Sequence, residues 1–83
     1  MQITDVTRLT ASARSLPTVR ARTHAISVAE EAALHLIDVL GADAPVGLCR
    51  ARVALSRARL AKASAQREHL DQALEQLLRA FLA

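Results

Sequence analysis

The sequence is short of nearly everything that builds sheets, disulfides or catalytic loops. Its 83 residues include one cysteine, two glycines, two prolines and one phenylalanine, with no tryptophan or tyrosine. A lone Cys49 excludes an internal disulfide. An all-β domain of this length needs β-branched and aromatic strands with a glycine or proline at nearly every turn, and that inventory is missing. Two glycines also leave no material for a phosphate-binding loop or a Gly-x-Ser-x-Gly elbow, and no Glu-x-x-His pair is present for a di-iron bundle. No stretch approaches the ~18 uninterrupted apolar residues of a membrane span, and no apolar run near the start suits a secretory signal. The expectation is a cytoplasmic, non-enzymatic protein without cofactor, metal or catalytic residues.

What is abundant is small. Of the 52% hydrophobic residues, 18 are alanines, leaving Cys49 and 24 larger apolar side chains for a core. The chain reads as all-α, a single small helical domain spanning residues 1–83.

Two places punctuate it. Pro17 lacks a backbone donor and biases Leu16 away from helical geometry, which separates a short helix of about 3–15 from the rest of the chain. Gly41 suits the positive φ that ends a helix, and Pro45 suits the first turn of the next one, capped by Asp43 or Ala44. Helices of about 18–40 and 44–82 are therefore expected as an antiparallel hairpin. In the first of these, Arg20, His24, Ser27, Glu31, His35 and Asp38 recur every three or four residues and define one polar stripe.

The long helix carries a heptad seam of Val46, Cys49, Val53, Ser56, Leu60, Ala63, Arg67, Leu70, Leu74, Leu77 and Phe81, the spacing of a coiled coil. Cys49 on this seam reads as a small buried hydrophobe. A second series, Ala51, Ala54, Ala58, Ala61 and Ala65, lies about 140° away at ~100° per residue. Alanine is the best helix former and fills surfaces for that reason alone. It also lets a second helix come close, and Leu48 and Leu55 beside the series favour that second reading. Together with the leucine-rich end at Leu74, Leu78 and Leu82, these positions form the expected partner-binding face.

Helix lengths set a register. At ~1.5 Å per residue the long helix runs to ~58 Å, matched only by the first two helices together. Pairing residues whose numbers sum to about 85 brings Glu30 and Glu31 near Arg50 and Arg57, and Arg14 near Asp71. A two-layer hairpin keeps an open side, to be covered by a folded-back first helix, a second copy or another protein.

The charge is +3, from ten arginines and one lysine against eight acids. Arg20, Arg22, Arg59, Lys62 and Arg67 are expected to form a basic patch suited to phosphate or to an acidic protein. Glu31, His35 and Asp38 offer metal-ligand types at i, i+4 and i+7, but on a polar stripe that reads as a solvated face. The function expected from these features is a helical protein-protein interaction module, chaperone-like or adaptor-like, that self-associates as a dimer or larger, or binds a partner. The alternative is a nucleic-acid-binding dimer using the arginine-rich face.

Overall fold

Local chemistry starts and stops the helices. In the computed structural model, which describes residues 1–82, the Asp5 carboxylate accepts the Gln2 N–H at 2.7 Å to open α1 (Ile3–Ser15). Leu16 before Pro17 is extended, and the Thr18 hydroxyl accepts the Ala21 N–H at 3.2 Å to open α2 (Val19–Leu40). Gly41 ends α2 at φ +57°, conformational space that a side chain rarely enters. A single 3-10 turn, Gly41–Asp43, comes next, and Pro45 occupies the cap of α3 (Val46–Leu60), so the helix begins two residues later than expected. The last helix is α4 (Ala63–Leu82). No strand occurs among the described residues, and no described helix is long and apolar enough to cross a membrane.

The expected continuous helix over 44–82 is not there. Ala61 is extended (φ −79°, ψ 158°), and the chain turns back on itself between α3 and α4. Neither glycine nor proline marks the break, which falls among alanines, the best helix formers. The physical reason is tertiary. Folding α4 back along α3 lets Leu48, Ala51, Leu55 and Ala58 enter one core with Leu70, Ala73 and Leu77, whereas a straight helix leaves those faces strung out over ~58 Å. Packing of an amphipathic face outweighs propensity here, as it commonly does.

Each helix neighbours two others: α1 lies against α2 and α4, and α3 lies against α2 and α4. The result is an up-down-up-down arrangement with Cα extents of 35 × 18 × 18 Å. Its radius of gyration, 11.5 Å, is close to the ~12 Å of a compact chain of this length. Helix α1 folds back, as one of the three expected ways to cover the open side, and Val6, Thr10 and Ala13 sit fully buried beneath it. Part of the register also survives. Arg14 pairs with Asp71, whose hydrogen bond and charge raise the guanidinium above its ordinary range. Glu30 pairs with Arg59 at 3.1 Å, not with Arg50 or Arg57.

Helices α3 and α4 approach closely at Gly47. A Cβ placed on Gly47 would stand 2.5 Å from the Gln76 carbonyl oxygen and 2.9 Å from the Ala80 Cβ. Because the nearer obstacle is backbone, one helix must move. Gly47→Ala is expected to destabilise the fold by about 1–3 kcal/mol, despite a helix-propensity gain of up to ~1 kcal/mol. A chemical denaturation curve checks the sign: a more stable variant would show that the two helices do not approach this closely.

Candidate functional site

The faces of α3 are reversed relative to the sequence expectation. Leu48, Ala51, Leu55 and Ala58 are fully buried and Ala54 nearly so, inside the chain's own core. Ala61 and Ala65, at the α3–α4 turn, are half-buried. The alanine series is thus the surface on which the bundle closes, so these residues are not open to a partner. Conversely, the seam residues Val46 (64% exposed), Val53 (39%) and Leu60 (75%) face solvent, and so does Cys49. Farther along the same seam, Leu70 and Leu77 are fully buried.

The break at Ala61 explains this split. Within α3 the seam positions Val46, Cys49, Val53 and Leu60 stay on the outer face, and the reversal of the chain into α4 turns the later seam positions Leu70 and Leu77 into the core. The leucine-rich end is divided within α4: Leu74 is half-buried, while Leu78 and Leu82 are exposed beside Phe81.

An open groove runs along the outer edge of α3 against α4. Its volume is about 530 Å³, with Val46, Cys49, Val53 and Ala54 forming the apolar floor. Arg50 and Arg57 stand on the α3 side, and Gln72, Glu75 and Gln76 on the α4 side. Glu75 is engaged by Arg79 at 2.7 Å. Neither Arg50 nor Arg57 makes an ion pair with a described residue. The sequence pattern did contain this surface, because Val46, Cys49 and Val53 keep a 3-4 spacing; what misplaced it was carrying a single helix through the break at Ala61.

The expected basic patch is largely consumed within the fold. Arg22 is buried, donating from Nε to Gln66 Oε1 at 3.2 Å and from Nη1 to the Leu16 carbonyl at 2.9 Å. Arg67 donates to the carbonyls of Arg14 and Leu16, which α1 leaves unpaired at its C-terminus. Arg59 holds Glu30. Of the five residues, Arg20 and Lys62 are left exposed without such contacts. Glu31, His35 and Asp38 are exposed on α2, and among the described residues no three potential ligands converge on a metal position.

No family model, curated protein or solved structure matches this chain.

Proposed function

We propose that this chain is a non-enzymatic helical interaction module whose docking face is the α3–α4 groove. The observation that carries the reading is the use of both faces of α3. Its inner face is filled by the chain's own core, yet its outer face carries Val46, Cys49 and Val53 at the spacing with which one helix seats on another. Apolar side chains gathered in a groove and rimmed by unpaired arginines are what a protein interface looks like before its partner arrives. The exposed Leu78 and Phe81 lie apart from this groove, beside Thr4 and Thr7 of α1, and form a separate apolar patch.

Cys49 makes the groove directly testable, because its thiol is exposed and is the chain's one cysteine. A benzophenone maleimide attached there and irradiated in an extract of the source cells is expected to yield a protein adduct. Substituting Val53→Glu should remove that adduct while leaving the helical circular dichroism spectrum unchanged. If labelled protein gives no protein adduct of any mass, the groove is not a docking face.

A further inference from the structure

We propose that the occupant of this groove is a second copy of the same chain, which presents its α2 outer face. This rests on the reading of the groove as a docking face and names what fills it.

The argument starts from the charges left over inside the chain. Ion pairs join Arg8 to Asp5, Arg14 to Asp71, Arg59 to Glu30 and Arg79 to Glu75. Among the described acids this leaves Glu31, Asp38, Asp43 and Glu68 without an arginine or lysine. Only Glu31 and Asp38 share a helix, and Leu34, 40% exposed, lies between them. On the groove side, Arg50 and Arg57 share α3, and Val53, 39% exposed, lies between them.

The two triplets have the same spacing. Glu31, Leu34 and Asp38 stand at i, i+3 and i+7, and so do Arg50, Val53 and Arg57. At ~1.5 Å per residue the outer members of each are ~10.5 Å apart along the axis, and at ~100° per residue each triplet spans ~60° of its helix. Laid side by side in parallel, every acid meets an arginine and Leu34 meets Val53. The antiparallel arrangement exchanges the two charge pairs and keeps the apolar contact near the centre. Either orientation supplies opposite charges at both ends of an apolar contact, the pattern that fixes register between helices.

Two other self-contacts are less favourable on the same observations. Pairing α3 with a second α3 antiparallel about Val53 sets Arg50 against Arg57 and repels. Stacking bundles end to end through Met1, Phe81 and Leu82 uses the 18 × 18 Å Cα cross-section, whereas lying side by side along the 35 Å axis offers a face of roughly twice that area, and stable interfaces need a large one.

Charge reversal tests the pairing with the full chain. One variant carries Arg50→Glu and Arg57→Glu, the other Glu31→Arg and Asp38→Arg. All four positions are exposed or line the open groove, so both variants should retain helical circular dichroism and a cooperative melt. Sedimentation equilibrium is expected to show wild-type association at high micromolar concentration, weakening as salt rises. Each variant alone should show at least a ~10-fold larger dissociation constant, because like charges now face each other. Mixing the two variants restores opposite charges at both contacts and should restore association. A monomeric wild type, variants that associate as wild type does, or a mixture that stays dissociated each overturns the proposal. A monomeric wild type whose Cys49 probe captures a different protein overturns the second copy as occupant and leaves the groove as a docking face.

Discussion

Replacing Ala58 by glutamate is expected to abolish the cooperative thermal transition. Ala58 is fully buried on the face of α3 that enters the core. The longer side chain overpacks that contact, at about 1–3 kcal/mol, and an uncompensated charge at a buried site costs a further ~3–5 kcal/mol. A domain of this length has a total stability of about 4–12 kcal/mol, and the combined cost of about 4–8 kcal/mol is comparable to it. The effect should be the same at any chain concentration, because the contact lies within one chain. Ala58→Leu isolates the volume contribution and should leave a folded but destabilised protein. Arg79→Ala is the control: its partner Glu75 and Arg79 itself are more than half exposed, and a loss of ~0.5 kcal/mol or less is expected. Circular dichroism melts separate the three. A melting temperature for Ala58→Glu within a few degrees of wild type would show that the alanine face is not the core.

Arg22→Leu is expected to lower stability by about 3 kcal/mol, and pairing it with Gln66→Leu should recover a large part of that loss. Arg22 is 4% exposed and Gln66 1%, and no carboxylate contacts the guanidinium. The charge is held by neutral acceptors, Gln66 Oε1 and the Leu16 carbonyl, while Gln66 Nε2 donates to Thr23 Oγ1 at 2.8 Å. This small network joins the end of α1, the first turns of α2 and the first turns of α4. Removing Arg22 alone forfeits two charge-assisted hydrogen bonds and leaves the buried Gln66 Oε1 without a donor, each loss costing ~1–3 kcal/mol. At ~4–8 °C per kcal/mol for a domain of this size, the melting temperature should fall by roughly 12–24 °C. Removing both side chains leaves no buried orphan at Gln66, and the Leu16 carbonyl retains Arg67. A double-mutant cycle built from thermal melts should therefore show strong non-additivity. Simple additivity would mean that the two side chains are stabilised independently of each other.

The boundaries of the first two helices and the all-α character were legible in the sequence, because they depend on neighbours a few residues away. Proline at 17 and glycine at 41 act on their own backbone, and the polar stripe of α2 from Arg20 to Asp38 needs only helical periodicity. The pairing of Arg14 with Asp71 came from chain lengths and charge. What only the tertiary structure decided was the break at Ala61 and, with it, which face of α3 turns inward. No glycine or proline near Ala61 marks a break, and the turn is driven by the burial of Leu48 and Leu55 in one core with Leu70 and Leu77 when the chain doubles back. The same event draws Arg22, Arg59 and Arg67 into internal contacts and leaves Val46, Cys49 and Val53 outside. A heptad seam read from sequence specifies spacing along a helix, whereas the direction that seam faces depends on where the neighbouring helices lie.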